Sequence, residues 1–380
     1  MQPFDITGRM RVVFGQGSIR RLGELAADLG ARTVMIVSDA GLIEAGHFDV
    51  AKASLQQHGI HVESFHDFSD NPTSDMVDAG VRRAGEVNPD LLVGLGGGSS
   101  MDCCKGINFV YCCGGTIHDY QGVGKATTDL LPMIAIPTTA GTGSEAQSFA
   151  LISDAKTHVK MPCGDARAAC RTAILDPDLT LTQPTGVSSL TGIDALSHAI
   201  ETYVTEKRNP MSVTYSKRAF ELLSSGFSKV LREPQNLTAR SQMQLGAHFA
   251  GMAIETSMLG AAHAVANPLT ARFNIIHGQA VGMMLPAVIR MNASTVGHLY
   301  AELLQAAGVS ASAENAADRL ACRVTDWLIE ASLATKLRDL SIPANQFDVL
   351  TDDALTQWTG TFNPVSLSHD NVMRLYQASF

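Results

Sequence analysis

Between Leu259 and Gly278 the chain reads LGAAHAVANPLTARFNIIHG, which sets His263 and His277 fourteen residues apart. Two imidazoles make half of a metal site. The other half is offered upstream at Gly192 to Thr202, GIDALSHAIET, where Asp194 and His198 stand at i,i+4 in a helical run. On an α-helix that spacing puts both side chains on one face, one turn apart. One carboxylate and three imidazoles form a borderline donor set suited to Fe(II), Zn(II) or a similar first-row divalent ion. Glu201, one turn beyond His198, is placed either to orient a ligand imidazole as a hydrogen-bond acceptor or to face solvent as an ordinary helix acid. His248 and His298 read as structural, and His47, His58, His61, His66, His118 and His369 as surface or turn residues.

A second group of residues suits anion binding. Leu91 to Leu95 (LLVGL) runs directly into Gly96-Gly97-Gly98-Ser99-Ser100 and then a helical pattern. Strand, glycine turn and helix start together form a phosphate cradle, because glycines admit close backbone approach and the free N–H groups of the helix start point at the anion. Asp102 is expected in the first turn of that helix. Pro137 to Glu145, PTTAGTGSE, follows another apolar run and supplies hydroxyls and glycines. The GxGxxG fingerprint of a regular dinucleotide fold is missing, and Asp39, the acid placed to meet a ribose, precedes the triple-glycine turn. Any dinucleotide is therefore held by a variant of that fold. A carboxylate at the adenosine ribose repels a 2′-phosphate, so NAD(H) is favoured over its phosphorylated form.

Holding these loops requires alternating strands and helices. The first half supplies them: strands over Arg11 to Phe14, Thr33 to Val37, His61 to Phe65 (an edge), Leu91 to Leu95, Met133 to Ile136, Phe149 to Ile152 and Ala173 to Leu175. Helices are expected from an N-cap at Ser18 to about Gly30, over Asp49 to His58, and after a cap at Ser74 or Asp75. Past Pro184 apolar residues recur at helical spacing to the end of the chain. The expected organisation is an α/β dinucleotide-binding domain with a parallel sheet, a Rossmann-like variant, over 1–184, and an all-α, metal-binding domain over 185–380.

The whole chain bounds the function further. Its 380 residues carry a formal net charge of −9 with no basic run, which argues against nucleic acid. No apolar stretch reaches the roughly 18 residues of a membrane span, and MQPFDITGRMRVVFG lacks a signal peptide's pattern. Seven cysteines, including Cys103/Cys104 and Cys112/Cys113, show no CxxC spacing and read as reduced packing residues, so a cytoplasmic location is expected.

In order and spacing, FGQGS, VSDAGL at Val37 to Leu42, DNPT at Asp70 to Thr73, GGGSSMDCCKG, PTTAGTGSE, HVKMP at His158 to Pro162, ILDP at Ile174 to Pro177 and DALSHAIE match one family. Over nearly its whole length the chain resembles the iron-containing (group III) alcohol dehydrogenases, which include lactaldehyde reductase and 1,3-propanediol dehydrogenase. The resemblance implies a dehydroquinate synthase-like fold, with a cleft between the domains for metal, nicotinamide and substrate. It implies Asp194, His198, His263 and His277 as metal ligands, with Fe(II) first and Zn(II) second. Asp39, Asn71, Gly97, Gly98, Ser99, Asp102, Thr138, Thr139, Thr142 and Lys160 are implied around NAD(H). Gln147, Phe149, Leu151, Ile254 and Met258 are implied at the substrate, and, being mostly apolar, suit a small or medium aliphatic alcohol or aldehyde. Many relatives are homodimers joined through N-terminal strands, which makes Phe4 to Val13 a candidate contact. The chain departs at Asn267, where relatives often carry a histidine near the nicotinamide, and asparagine hydrogen-bonds but does not titrate. The alternatives for this chain are a reductase of an oxo acid such as maleylacetate or a non-redox enzyme on the same scaffold, and a metal- and nucleotide-binding protein of little turnover.

Overall fold

The computed structural model describes residue 8 and residues 10–380. Two compact units divide the chain: one holds the described residues to Thr139 together with Gly143–Gln183, the other Ala140–Thr142 with Pro184–Phe380.

Among the described residues the first unit is built on nine strands, β1 Arg11–Phe14, β2 Thr33–Val37, β3 His61–Phe65, β4 Leu91–Gly96, β5 Gly122–Val123, β6 Met133–Pro137, β7 Phe149–Ser153, β8 Lys160–Gly164 and β9 Thr172–Leu175. Five helices connect them: α1 Leu22–Asp28, α2 Ala40–Glu44, α3 His47–Gln56, α4 Ser74–Val87 and α5 Gly98–Cys113. Six strands form one sheet in the order β1-β9-β6-β4-β2-β3, every pair parallel. Successive β2 residues alternate faces. Val34 and Ile36 pack with Leu22, Leu25, Ala51 and Leu55, whereas Met35 and Val37 pack with Val77, Met101, Cys104 and Ile107. A parallel sheet covered on both faces needs apolar residues at every position, which is why TVMIV and LLVGL show no polar alternation.

From β2 the chain passes outward to β3 and then returns to β4 on the other side of β2. The reversal puts a topological switch point between the carboxyl ends of β2 and β4, the place where open α/β sheets bind ligands. A three-stranded sheet, β5-β8-β7, completes the unit, with β7 and β8 antiparallel.

Several local expectations are corrected. Ser18 is not a cap: Gly17, in the left-handed region, starts a 3₁₀ turn over Ser18–Arg21, and α1 begins only at Leu22. Thr73, rather than Ser74 or Asp75, caps α4, its hydroxyl accepting from the Met76 N–H. Asp102 lies one turn inside α5, because that helix already starts at Gly98. His47, read as a surface or turn residue, is buried with Nε2 2.7 Å from Thr182 Oγ1. Cys103 and Cys104 are buried in the sheet core, and all seven cysteines are free.

The second unit is helical: α6 Thr185–Val204, α7 Pro210–Arg232, α8 Leu237–Thr256, α9 Ala261–Phe273, α10 His277–Ala306, α11 Ala313–Glu330, α12 Phe347–Leu355 and α13 His369–Ala378. α6 is its centre, with Ile193, Leu196, Ala199, Ile200 and Tyr203 all in the core. A helix buried nearly all round reads as uniformly apolar rather than amphipathic, so its polar residues are the informative ones. Among the described residues no helix is long and apolar enough to cross a membrane.

Candidate functional site

Asp194, His198 and Glu201 occupy i, i+4 and i+7 of α6 and therefore share a face. All three are buried. His263 sits in the first turn of α9, and His277 is the first residue of α10. Close approach of α10 to α6 delivers His277: a Cβ on Gly278 would stand 2.1 Å from the Leu190 carbonyl oxygen, so only glycine fits there.

The three imidazoles converge on one oxygen. Asp194 Oδ1 lies 3.3 Å from His198 Nε2, 3.6 Å from His263 Nε2 and 3.8 Å from His277 Nε2. Donor atoms of Asp194, His263 and His277 fall within 4.8 Å of one another. His198 is outside that mutual group but closest to the shared oxygen. Ligands about 2.0–2.2 Å from one tetrahedral ion stand roughly 3.3–3.6 Å apart, so the spacing fits a common cation better than direct hydrogen bonds. The buried Asp194 Oδ1 and His263 Nε2 have no hydrogen-bond partner, which is costly unless a cation satisfies them.

Behind these donors the far ring nitrogen of His263 is held. His263 Nδ1 is hydrogen-bonded to Glu201 Oε2, and Glu201 Oε1 accepts the Ala262 N–H at 2.6 Å. Glu201 thus fixes the imidazole's orientation and satisfies an otherwise unpaired N–H at the start of α9. At His198 the nearby Gly141 backbone favours the charged ring.

Electrostatics point the same way. Burial opposes ionisation of Asp194, but the charges of His198, His263 and His277 outweigh it and hold the carboxyl below the usual carboxylate range. Burial likewise opposes charge on His263, yet Glu201 and Asp194 raise its pKa to about 9. Burial dominates at His198 and lowers its pKa. Two buried carboxylates thus draw positive charge into the cluster, a demand that a divalent ion meets.

At the switch point, the loops after β2 and β4 meet the DNPT turn. Ser100 Oγ is 3.5 Å from Asp39 Oδ2, and the Asn71 N–H donates to Ser99 Oγ at 3.2 Å. Asp39 also caps α2, accepting from the Leu42 N–H. Gly96 has φ +147°, and a Cβ there would stand 2.2 Å from Ser100 Oγ, so the turn demands glycine. Gly97 caps α5 without a side chain, leaving the helix start open at the backbone. Thr138, whose N–H donates to the Gly96 carbonyl, and Thr139, beside Gly97, come from the loop after β6. Asp39, Asn71, Gly97, Gly98, Ser99, Thr138 and Thr139 are therefore gathered at neighbouring strand ends.

Others fall elsewhere. Thr142 groups with the helical unit. Lys160 opens β8, and its charge acts on Asp102, whose pKa is pushed up to about 6 because burial outweighs Lys105, Lys160 and hydrogen bonds from Leu151 and Ser144. Gln147, Phe149 and Leu151 lie in and just before β7, while Ile254 and Met258 lie at the end of α8 and beyond it. Asn267, one turn along α9 from His263, donates Nδ2–H to Gln357 Oε1 at 2.9 Å. Lys105 carried no expectation, although its position within GGGSSMDCCKG was available as a signal.

Comparison with known proteins gives this geometry a family. Residues 10–177 match the family model "Iron-containing alcohol dehydrogenase", and residues 188–380 match "Fe-containing alcohol dehydrogenase family, C-terminal". Similar proteins include alcohol dehydrogenase 4 of Schizosaccharomyces pombe, 32% identical over 97% of this chain and 87% of that protein. NAD-dependent methanol dehydrogenase of Bacillus methanolicus is 30% identical over 93% of each. A 1,3-propanediol oxidoreductase structure superposes with a TM-score of 0.96 at 29% identity, covering 100% of both chains. A sulfoacetaldehyde reductase of Bifidobacterium kashiwanohense in complex with NAD+ gives a TM-score of 0.91 at 27% identity, over 100% of this chain and 99% of that one. With both halves matched and the carboxylate and three histidines gathered, the chain belongs to the iron-containing alcohol dehydrogenase family, oxidoreductases acting on alcohols.

Proposed function

We propose that this chain is a metal-dependent, NAD(H)-linked alcohol dehydrogenase or aldehyde reductase acting on a small or medium, mostly aliphatic substrate. The observation that carries the reading is the convergence of three imidazole Nε2 atoms on Asp194 Oδ1. Asp194, His198, His263 and His277 would hold Fe(II), with Zn(II) as the alternative that the same donors accept. When bound, the ion supplies Lewis acidity toward the substrate oxygen and the nicotinamide exchanges the hydride. Glu201 keeps His263 presenting Nε2 to the ion.

For the cofactor, the backbone N–H groups of Gly97, Gly98 and Ser99 would hold the pyrophosphate, and Asp39 would accept from a ribose hydroxyl. Asn71, Thr138, Thr139, Thr142 and Lys160 complete the contacts. NAD(H) is supported by the charge of Asp39 at the switch point and by the names of two relatives, an NAD-dependent methanol dehydrogenase and a reductase complexed with NAD+. Gln147, Phe149, Leu151, Ile254 and Met258 are the substrate-facing residues. Asn267 supplies no titrating proton, and its amide is engaged with Gln357. Water or a ribose hydroxyl of the bound cofactor would carry the proton, and the Asn267 amide oxygen would orient it. We also place the protein in the cytoplasm as a homodimer through Phe4 to Val13. Residues 4–7 and 9 lie outside the described residues, but β1 is a sheet edge with Val12 and Phe14 exposed, which suits strand pairing.

Following NADH absorbance with a panel of straight-chain aldehydes, before and after chelation, tests the proposal. Loss of absorbance that stops on chelation supports it. No metal-dependent loss with any aldehyde overturns it.

A further inference from the structure

We infer that Asp102 and Lys105 form a two-charge clamp on α5 that seats the segment from Ser144 to Leu151 and so positions Gln147 and Phe149 for the substrate. The functional half of this assignment rests on the dehydrogenase reading above.

Lys105 is 1% exposed, and its Nζ donates to three backbone carbonyls, those of Ser144 at 2.6 Å, Gln147 at 2.6 Å and Phe149 at 2.9 Å. Every ammonium proton is thereby used. One turn earlier on the same helix face, the buried Asp102 carboxylate accepts from the Ser144 hydroxyl and the Leu151 N–H. The ammonium takes the segment's acceptors while the carboxylate takes its donors.

The segment holds little regular structure before β7. Its first part is a single 3₁₀ turn, Ser144–Ala146. Its last part is the start of β7, the outer strand of the three-stranded sheet, which pairs with β8 and, at Ser153, bridges Thr73. A buried ammonium is retained only where hydrogen bonds offset its lost hydration, and these three bonds fix carbonyls within six consecutive residues. Asp102 and Lys105 are positioning residues, acting through the backbone that carries Gln147 and Phe149. Asp102 accordingly does its work through this segment rather than at the cofactor.

Lys105→Met, Lys105→Arg and Asp102→Asn in the full-length, metal-loaded protein test the clamp by hydrogen exchange and steady-state kinetics. In Lys105→Met, amides of 144–151 are expected to exchange about tenfold faster or more, the consequence of stranding buried carbonyls, while β4 and β6 keep their protection. KM for the alcohol is expected to rise by a similar factor, with NADH affinity, read by fluorescence, within about twofold of the parent. Lys105→Arg recovers part of both effects. Asp102→Asn, which keeps the shape and one acceptor, gives the same pattern more weakly and serves if Lys105→Met does not fold.

Unchanged exchange in 144–151 overturns the clamp, as does exchange rising equally in β4 and β6. NADH affinity falling in step with KM overturns the positioning role and returns Asp102 to the cofactor. If the parent protein shows no turnover, the dehydrogenase reading fails while the exchange data still decide whether the clamp exists.

Discussion

Glu201 carries two duties at the candidate metal centre, one oxygen on the His263 ring and the other on the Ala262 N–H. Replacing it with glutamine keeps the shape but removes the charge, and one amide group cannot accept at both positions. Glu201→Gln is expected to weaken divalent-ion affinity by about 10–100-fold, the usual cost of disturbing a hydrogen bond behind a ligand. Competition against a fluorescent chelator measures it, and unchanged affinity would remove Glu201 from the site. At Asn267 a histidine would restore a titrating group one turn from His263. Asn267→His is expected to add an inflection near the ordinary histidine pKa, about 6.5, to the pH profile of turnover. An unchanged rate and profile would take position 267 out of proton transfer. Spacing paired Asp194 with His198, because i,i+4 on a helix has one geometric meaning, and the family resemblance joined His263 and His277 to them as ligands. That Glu201 meets His263, 62 positions away, was not legible, since no local pattern says which side chains two helices bring together.

The helices, rather than loops, set the spacing of the candidate ligands. α6 supplies two donors from one face, and the starts of α9 and α10 bring one each. Gly278 is the point of closest approach to α6. Gly278→Ala places a methyl group against the Leu190 carbonyl and forces α10 outward, with an overpacking cost of about 1–3 kcal/mol. It is expected to lower thermal stability and ion affinity together, checked by unfolding scans with and without added divalent ion. Equal stability in both proteins would contradict the packing argument. The principal strands were readable because a parallel sheet buried on both faces leaves continuous apolar runs. Cap positions were not. Thr73, Ser74 and Asp75 are all competent caps, and only the backbone geometry at Thr73 chooses between them. β8 escapes the sequence reading because Pro162, which has no N–H to donate, sits within it and argues against a ladder, and the strand gains its identity from pairing with β7.

At the scale of the molecule, the phosphate-cradle sequence became interpretable only through the strand order. GGGSS marks an anion site wherever it follows a strand, but the reversal between β2 and β4 sets Asp39 and the glycine turn side by side, and no sequence period encodes that order. Each unit thus contributes a distinct part of the proposed reaction, a nucleotide platform in one and a buried carboxylate-histidine cluster in the other. The cluster is expected to hold one divalent ion on which turnover depends. This is tested most directly by titrating Fe(II), without air, into chelator-stripped protein while following NADH-dependent aldehyde reduction. Activity is expected to rise linearly and break at a single ion per chain, with Asp194→Ala inactive throughout. Full turnover in the stripped protein, or recovery in Asp194→Ala matching the parent, would contradict the account.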